Sequence, residues 1–516
     1  MRIKNIVIIG GGTAGWATAH QFLNKTSPEV KITVIASKEI PIVGVGESTT
    51  GRFNDLINLK QNHTGLNERN FLVETSSTFK IGIKHSDWRK KGESFYSPIG
   101  DSYSHNISGY PHTDYDCLRI YHIANNIPFT QTFQSRLMEE NRLHFINGQD
   151  IFEIDDGHRN GKPVAYHLDT YKVGQYLKRQ ALTVKKCKYI DDQVVSFKQD
   201  EKGFVTSVKT KKGKTVKGDL WIDCSGFRKV LINKAFKNEW KTYKNNLLVN
   251  RALNFNVKYK PGEEIRGYTH AKALSNGWLW EIPTQERLGC VYVFSDNHIT
   301  KEKAKEEVEK VLGHEIEVQR DIPFETGRQE KFWIKNVLST GLSSAFIEPL
   351  EATSIHATIL QVTHFIENYY KQDLPVECEL FHNQYNFSMT TMWDNIMDFI
   401  VFHYLTPRKD SEFWIESAKK ERMTPRLKGL MEMWKYKMPR VVDYINDKEN
   451  NFYSIGNVLW YQIGIGMKYF NSKVAKKELQ DYGEYIRAEN AFKEIVRLVN
   501  LEMPKFIKSN DYYKNL

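Results

Sequence analysis

The N-terminal sequence "KNIVIIGGGTAGWATAHQFLNK", residues 4–25, indicates how the chain begins to fold. It opens with an apolar run, Ile6–Ile9, which predicts a buried strand, and continues into a helix that we expect to begin near Ala14. A second apolar run, "VKITVIAS" at residues 30–37, predicts the next strand. A strand, a glycine-rich turn, a helix and a second strand in this order are typical of a Rossmann unit.

The turn between the strand and the helix carries the spacing G-x-G-x-x-G. Such glycines allow a tight turn, and a pyrophosphate then lies on the helix N-terminus, where free N–H groups and the helix dipole favour negative charge. The residues predicted to bind a dinucleotide here are Gly10, Gly12, Thr13, Ala14 and Gly15. No Asp or Glu ends the second strand, so the usual ribose carboxylate is absent or supplied elsewhere. A late "GIGMKY", residues 464–469, lacks the third glycine, so we predict no second site for a nicotinamide.

The composition of the 516 residues, with 40% hydrophobic and 26% charged residues, is ordinary for a soluble enzyme of two or three packed units. The net charge of +11 would suit binding to nucleic acid or membrane, or a scatter of lysines for solubility. Segments such as "KEKAKEEVEK", residues 301–310, mix both signs at helical spacing. We therefore predict no nucleic-acid partner, and a positive field suits anionic ligands.

The five cysteines are scattered, and no two share a C-x-x-C spacing. This pattern argues against a disulfide framework and against a metal site, and it favours a reducing compartment. The N-terminal apolar run is too short for a signal peptide, and no stretch approaches the length of a membrane span. The sequence therefore predicts a cytoplasmic protein that binds neither a metal nor a membrane.

Further along the chain, three short runs between residues 189 and 217 read as a β-meander. The meander leads to a predicted buried strand, Leu220–Asp223. The region from about residue 250 to 335 reads as a second, antiparallel sheet, and from about Ile355 the chain becomes helical and aromatic.

These elements predict an α/β (α+β) fold: a Rossmann-type cofactor domain with an antiparallel substrate sheet, plus a C-terminal, mainly helical region. We expect residues 1–355 to form the first module and residues 356–516 to form a helical substrate-side region packed on it.

The stretch "STFKIGIKHSDWR", residues 77–89, alternates apolar and polar residues and predicts a strand with one apolar face. Lys80 and Lys84 are expected to share the other face of this strand, about 13 Å apart. Lysines in such positions usually reach into water. The stretch alone leaves open whether Lys80 does chemistry.

Four stretches together resemble the flavin-dependent tryptophan halogenase family over nearly the whole chain. They are "GGGTAGW" (10–16), "STFKIGIK" (77–84), "DLWIDCSGFRKVLINKAF" (219–236) and "GWLWEIP" (277–283). A fifth, "SSAFIEPLEATSI" (343–355), looks like the family's F-x-x-P-x-x-S-x-G segment. Phe346 and Pro349 match that pattern, whereas Ala352 replaces its serine and Ser354 replaces its glycine.

The resemblance implies an FADH2- and O2-dependent halogenase that oxidises chloride, bromide or iodide to hypohalous acid and delivers it through a tunnel to Lys80. Glu351 would then orient the oxidant, or stabilise the cationic ring intermediate and accept its proton; Glu348 is the competing candidate and is expected to be structural. Trp278 and Trp280 would wall the flavin off from the substrate, although two indoles on one strand face also suit simple core packing.

The resemblance also implies a set of flavin-binding residues beyond the glycine-rich turn, namely Val43, Gly44, Glu47, Ser48, Val194, Ser225, Gly226, Gly341 and Ile355. It places the halide at Thr353 and Ser354. Glycine allows backbone angles that serine resists, so Ser354 predicts a narrower or altered halide site. We expect bromide or iodide to outcompete chloride there.

The substrate side departs from the members that act on free tryptophan, because the corresponding region, "NDKENNFYSIGNVLWYQIGIG" at residues 446–466, holds no convincing match to their tandem tyrosine and glutamate. His105 and Trp460 are the candidate substrate residues, and an indole, a phenol or a larger aromatic compound is the expected substrate. The expected partner is a separate NAD(P)H-dependent flavin reductase, and a homo-oligomer is left open. The alternatives are a flavin monooxygenase or oxidase on the same fold, which would not need Lys80, and a non-catalytic flavin-binding protein.

Overall fold

The computed structural model describes residues 3–40, 46–57, 63–99, 115–130, 132–151, 163–372, 374–443 and 455–516. The strands in these residues are β1 Asn5–Ile9, β2 Lys31–Ala36, β3 Glu47–Ser48, β4 Thr78–Lys80, β5 Gly82–Ser86, β6 Ser94–Pro98, β7 Arg142–Ile146, β8 Gln149–Asp150, β9 Ala165–Leu168, β10 Cys187–Asp191, β11 Val194–Gln199, β12 Val205–Thr210, β13 Thr215–Lys217, β14 Leu220–Asp223, β15 Trp240–Thr242, β16 Arg251–Lys258, β17 Tyr268–Ala273, β18 Gly277–Pro283, β19 Arg287–Phe294, β20 Arg320–Pro323, β21 Gly327–Gln329, β22 Trp333–Ile334, β23 Val337–Ser339, β24 Ala345–Phe346 and β25 Phe506–Lys508. The α-helices are α1 Thr13–Lys25, α2 Asn54–Ile57, α3 Glu68–Thr75, α4 Tyr115–Ala124, α5 Phe133–Glu139, α6 Thr170–Leu182, α7 Lys301–Leu312, α8 Thr353–Phe365, α9 Glu379–Tyr404, α10 Glu412–Ser417, α11 Pro425–Met433, α12 Asn457–Met467, α13 Ser472–Asp481, α14 Tyr485–Glu502 and α15 Ser509–Lys514.

The chain forms two compact units, and each is built from three separate segments. The first unit comprises residues 1–77, 168–244 and 325–394, and the second comprises residues 78–167, 245–324 and 395–516. The predicted module boundary near residue 355 follows the change to helical structure and stays a prediction.

The first unit contains the predicted Rossmann sheet, with strand order β10-β2-β1-β14-β23-β22. β1 pairs in parallel with β2 and with β14, and α1 packs on α6 and α8. Val7, Ile9, Ile35 and Trp221 belong to its buried core. A strand buried on both faces of a parallel sheet needs apolar residues at successive positions, which is why Ile6–Ile9 is uniformly apolar.

The second unit contains a seven-stranded sheet with the order β20-β16-β19-β18-β17-β5-β6. Its neighbouring strands are antiparallel, except that β5 runs parallel to β17. The predicted strand "GWLWEIP" is confirmed as β18, in the interior of this sheet. The meander is confirmed in the first unit as the sheet β11-β12-β13.

The predicted single strand at residues 77–89 is wrong in one respect, because it breaks at Ile81. The Ile81 N–H donates to the Gly267 carbonyl and its own carbonyl accepts from the Ile99 N–H, each at 2.7 Å. β4 therefore pairs with β9, whereas β5 pairs with β17 and β6. Lys80 and Lys84 thus lie in different ladders, and the expected common face does not extend across the break.

The chain turns helical at α8, close to the predicted position. Among the described helices, none is both long and apolar enough to cross a membrane.

Candidate functional site

The glycine-rich turn of the first unit has the shape that a pyrophosphate requires. Gly10 has φ 125°, and a Cβ added there would lie 2.1 Å from the Cys224 carbonyl oxygen. Gly12 precedes the 13-residue helix α1 in an extended conformation and offers no side chain to cap it. The first N–H groups of α1 therefore remain available to an anion.

The structure brings two further predicted segments to this turn. Cys224, which contacts Gly10, leads directly into Ser225 and Gly226. Gly341 has φ 66°, and a Cβ there would lie 2.7 Å from the Cβ of Ala14. At Gly10 and Gly341 there is thus no room for a side chain, so the backbone lines the turn at these two positions.

The loop after β14 is ordered by the buried carboxylate of Asp223. One of its oxygens accepts from the Ser225 N–H at 3.0 Å and the Ser225 hydroxyl at 2.6 Å. The other accepts from the N–H groups of Leu231 and Ile232 at 2.7 and 2.9 Å. Both the N–H and the hydroxyl of Ser225 are therefore used inside the loop, where they fix the backbone that leads into Gly226.

A carboxylate that the sequence analysis missed lies at the edge of the sheet where the strands end. Asp191 ends β10 and is the register partner of Ala36, the last residue of β2. It accepts from the Lys38 N–H at 3.1 Å, and this bond, with the nearby Lys38 ammonium, lowers the pKa of Asp191. Asp191 therefore lies beside the end of β2, where a ribose-binding carboxylate is usual but absent from β2 itself. The sequence does not show this, because β10 and β2 are distant in the chain and meet only in the sheet.

The predicted flavin-covering segment is described in part. Val43 and Gly44 lie outside the described residues. Ser48 is buried. Part of Glu47 reaches solvent, but burial of its carboxyl raises the pKa of Glu47 to about 7. Val194, at the start of β11, is buried in the core of the first unit.

The segment before α8 forms a tight turn with an uncapped helix behind it. Pro349–Glu351 is a 3₁₀ turn, and Ala352 then adopts φ 55° and ψ 35° before α8 begins at Thr353. Ala352 makes no side-chain cap, and the buried Thr353 hydroxyl has no hydrogen-bond partner among the described residues. Free N–H groups and an unused hydroxyl together suit a small anion.

The backbone argument for Ser354 is wrong. Ser354 lies in the first turn of α8 and its carbonyl accepts from the Thr358 hydroxyl at 2.9 Å, as a normal helical residue. The left-handed residue is Ala352, two positions earlier. Any effect of Ser354 on halide choice must therefore come from its hydroxyl and size, because a helical position has no need of glycine.

The other predicted residues of this segment are buried. Glu348 and Glu351 are both buried, with 0% and 7% of their surface exposed. Ile355 is buried in α8, two residues beyond Thr353.

Lys80 lies in the second unit and is fully buried, with 0% of its surface exposed. Lys84 is half-buried, with its ammonium 5.8 Å from the centroid of the Tyr96 ring. Long ammonium side chains are rarely buried, because desolvation of the charge is costly. The interpretation of Lys80 as a solvent-reaching surface lysine is therefore excluded.

The tryptophans of β18 are buried on one strand face of the second unit. The ring centroids of Trp278 and Trp280 are 5.6 Å apart, and Trp88 lies 6.3 Å from Trp278. The Trp280 indole N–H has no hydrogen-bond partner among the described residues. The two indoles thus pack against each other in the interior of this unit.

A buried histidine that the sequence analysis missed lies in the same stretch as Lys80. His85 stacks on Phe95 with ring centroids 4.7 Å apart. Burial, His403 and the Lys80 charge lower the pKa of His85 well below its usual value, so its imidazole is neutral. The sequence signal for its burial is the position of His85 in β5, two residues after the buried Ile83. Residues two apart on a strand point to the same face.

The two predicted substrate residues remain predictions. His105 lies outside the described residues. Trp460, on α12, is 1% exposed and packs against Phe399 and Phe402 with centroids 5.1 and 5.0 Å away.

A cavity of about 230 Å³ lies elsewhere in the first unit, lined by residues that include Lys4, Val30 and Trp333. Lys4 and Val30 precede β1 and β2, so the cavity lies at the amino ends of the strands. Cofactors of open parallel sheets bind at the carboxyl ends. This cavity is therefore not the candidate cofactor site.

The residues described above fit FAD. Gly10 lies where a side chain would clash, α1 presents uncapped N–H groups, and Asp191 offers a carboxylate at the edge of the sheet. The fold and these residues define a Rossmann-type flavoprotein.

Comparison with known proteins identifies the family. The sequence model of the tryptophan halogenase family matches residues 5–480. The chain is 30% identical over 457 residues to tryptophan 6-halogenase ThaL of Streptomyces albogriseolus, covering 85% of this chain and 83% of that protein. It is 29% identical over 491 residues to tryptophan 7-halogenase RebH of Lentzea aerocolonigenes, covering 90% of each. The solved structure of tryptophan 6-halogenase SttH from Streptomyces toxytricini superimposes over 100% of both chains, with a TM-score of 0.85 at 25% identity.

The chain belongs to the tryptophan halogenase family. It is an enzyme, a flavin-dependent halogenase of aromatic substrates, and the predicted fold class is confirmed.

Proposed function

We propose that this halogenase makes hypohalous acid at bound FADH2 and that Lys80 receives this oxidant, through a tunnel, for electrophilic halogenation of an indole- or phenol-like substrate. When bound, reduced FAD would supply two of the four electrons that reduce O2, and the halide supplies the other two as it is oxidised to hypohalous acid. The observation that carries the proposal is the complete burial of Lys80. The amine group of a buried lysine is suited to hold a small oxidant that would react indiscriminately in water, either as an ammonium that polarises the oxidant or as a neutral amine that forms a haloamine.

The cofactor and halide roles rest on the first unit. The N–H groups at the start of α1 would hold the pyrophosphate of FAD, and the carboxylate of Asp191 would accept from its ribose hydroxyls. The N–H groups at the start of α8 and the Thr353 hydroxyl donate hydrogen bonds to the halide. Ser354 adds a second hydroxyl. Bromide or iodide is the preferred halide, because these anions are more weakly hydrated than chloride and lose less on leaving water.

The remaining residues act on the substrate. Glu351 accepts the proton that the ring loses when the carbon–halogen bond forms. Trp278 and Trp280 shield the substrate from direct oxygenation. His105 and Trp460 line the substrate site, and the departures from tryptophan-using relatives favour an aromatic compound other than free tryptophan.

The enzyme receives FADH2 from a separate NAD(P)H-dependent flavin reductase, because the sequence carries a single dinucleotide fingerprint. The five free cysteines support a reducing compartment, the cytoplasm. We expect the purified protein to oxidise no NAD(P)H by itself, measured by absorbance at the nicotinamide band. Rapid NADPH consumption without a reductase would count against this assignment.

The direct test combines the enzyme, a flavin reductase, O2 and one halide at a time with a panel of indoles and phenols, read by mass spectrometry. The expected product gains the mass of one halogen less one hydrogen, and it forms only when halide is present. A product that gains oxygen in the absence of halide would instead identify a monooxygenase.

A further inference from the structure

The strand that carries Lys80 is short and is held by a buried polar chain. β4 has only three residues, and its register with β9 pairs Thr78 with His167 and Lys80 with Ala165. Residues two apart on a strand share a face, so the Thr78–His167 pair lies on the same face as Lys80. Thr78, Lys80 and His167 are all 0% exposed.

The direction of each hydrogen bond in this chain follows from chemistry. The Thr78 hydroxyl donates to the carbonyl oxygen of Pro283, at 2.5 Å, because that oxygen only accepts. A hydroxyl has one proton, so the Thr78 oxygen accepts from His167 Nδ1–H, which lies 2.9 Å away. The proton of a neutral His167 is thereby assigned to Nδ1.

The other ring nitrogen of His167 completes the chain. Nε2 lies 3.0 Å from the hydroxyl oxygen of Thr269, which is also fully buried. Burial, followed by the charges of Lys80 and Arg266, lowers the pKa of His167 well below its usual value. Nε2 is therefore unprotonated and accepts from Thr269. The chain connects β17, β9, β4 and the end of β18 through three hydrogen bonds.

We propose that His167 is a positioning residue for Lys80: its Nδ1–H bond to Thr78 fixes β4, so that the buried ammonium stays at one point. The inference rests on the proposed role of Lys80. A three-residue strand that ends at a bend has few ladder bonds, so a side-chain hydrogen bond to it contributes strongly to holding its position. An uncharged imidazole fixes the strand without placing a second positive charge beside Lys80.

The test compares His167→Asn with His167→Leu in the full-length enzyme with FAD and a flavin reductase. The amide nitrogen of Asn overlies Nδ1 and keeps the donation to Thr78, whereas Leu keeps the bulk and loses the bond. Two rates are measured: halogenation of a small halogen acceptor free in solution, which reports hypohalous acid, and halogenation of the aromatic substrate.

For His167→Leu we expect the rate with the free acceptor to stay within about twofold while aromatic halogenation falls at least about tenfold, since small misplacements of a reacting group have effects of this size. His167→Asn should restore most of the aromatic rate. A merely structural role would lower both rates together, and that result, or an Asn variant no better than Leu, would overturn the inference.

A second pair keeps the test decisive if His167→Leu fails to fold. Thr78→Ser retains the hydroxyl and Thr78→Val removes it, so only Thr78→Val should lose aromatic halogenation selectively. Equal behaviour of these two variants contradicts the positioning role. Lys80→Ala is measured in parallel: full aromatic yield there would end the proposed function and this inference with it, whereas loss in Lys80→Ala with normal yield in His167→Leu would overturn the positioning role alone.

Discussion

At the scale of single residues, Lys80 and Lys84 look alike in the sequence and differ in the structure. Both follow an apolar neighbour in the same alternating stretch. Lys80 is fully buried, whereas Lys84 is half-buried beside Tyr96. The difference arises because the strand breaks between them at Ile81, and each lysine then belongs to its own ladder.

This difference predicts different outcomes for two otherwise equal substitutions. Lys80→Ala should reduce halogenation of the aromatic substrate by at least about a hundredfold, because the oxidant is no longer held at the ring. Lys84→Ala, the matched control, should retain activity within about threefold, because the substitution removes only a partly exposed cation. Product mass and a free halogen acceptor are measured for both variants.

In Lys80→Ala the free acceptor should still be halogenated, since hypohalous acid is made elsewhere. Normal aromatic yield in Lys80→Ala together with loss in Lys84→Ala would show that the role belongs to the other lysine.

Glu47 predicts a pH dependence of stability in the protein without flavin. Its folded pKa of about 7 lies above the ordinary value of 4.5, so the folded state binds more protons than the unfolded state between these values. The contribution of Glu47 to the free energy of unfolding is fully present below about pH 4.5 and is lost as pH rises through 7. Glu47→Gln should remove this loss, which is on the order of 1–3 kcal/mol at pH 8.

The measurement is denaturant unfolding of both proteins at pH 5 and at pH 8. The stability gain of Glu47→Gln over the parent should be larger at the higher pH. If the two proteins differ in the free energy of unfolding by the same amount at pH 5 and at pH 8, the raised pKa of Glu47 is contradicted.

At the scale of elements, the start of α8 combines a strained residue with an unused donor. Ala352 has φ 55° without being glycine, and such residues persist where the surrounding structure requires the turn. Thr353, the next residue, leaves its buried hydroxyl without a partner among the described residues. Buried polar groups of this kind lower stability, so their presence favours a ligand role.

Thr353→Val should therefore separate function from stability. Loss of a donor to the halide should raise the KM for halide about tenfold, as expected for a hydrogen bond to a charged group. In the absence of halide the variant should be more stable by about 1 kcal/mol, because an unsatisfied hydroxyl is replaced by a methyl group.

The control is Thr358→Val on the same helix, where the hydroxyl already donates to the Ser354 carbonyl at 2.9 Å. This control should leave the KM for halide unchanged. Halide titrations and thermal unfolding are measured for both variants, and an unchanged KM in Thr353→Val would remove Thr353 from the halide site.

At the scale of the whole molecule, several histidines are buried in their neutral form. Burial lowers the pKa of His20 and His122 to about 4, and that of His356 to about 3. The unfolded chain binds more protons than the folded chain between these values and 6.5. The contribution of these histidines to the free energy of unfolding is fully present above pH 6.5 and is lost as pH falls toward 4.

We expect the unfolding free energy of the protein without flavin to fall steeply between pH 6.5 and pH 4.5. His20→Gln is the matched variant, because its amide N–H replaces the His20 Nε2–H that donates to the Leu177 carbonyl at 2.8 Å, and Gln does not titrate. The variant should lose part of the fall seen in the parent. An identical pH profile of the two proteins would contradict the assignment of neutral His20.

The sequence predicted the parts of the molecule that depend on short-range pattern. The glycine-rich turn, β14 and β18 lie where the apolar runs and glycines placed them, because strand burial and turn geometry are encoded by neighbouring residues. The motifs that led to the family are of the same local kind.

The burial of polar residues and their hydrogen-bond partners depend on long-range contacts that local pattern does not contain. The burial of Lys80, the neutral tautomer of His167 and the placement of Asp191 beside β2 each depend on a strand that is distant in the sequence. The left-handed residue proved to be Ala352 and not Ser354, because the start of α8 is set by the packed turn before it. Local pattern thus determined which elements form, whereas the electrostatics of the site were decided by long-range pairing, since desolvation and hydrogen bonding depend on every group that surrounds an atom.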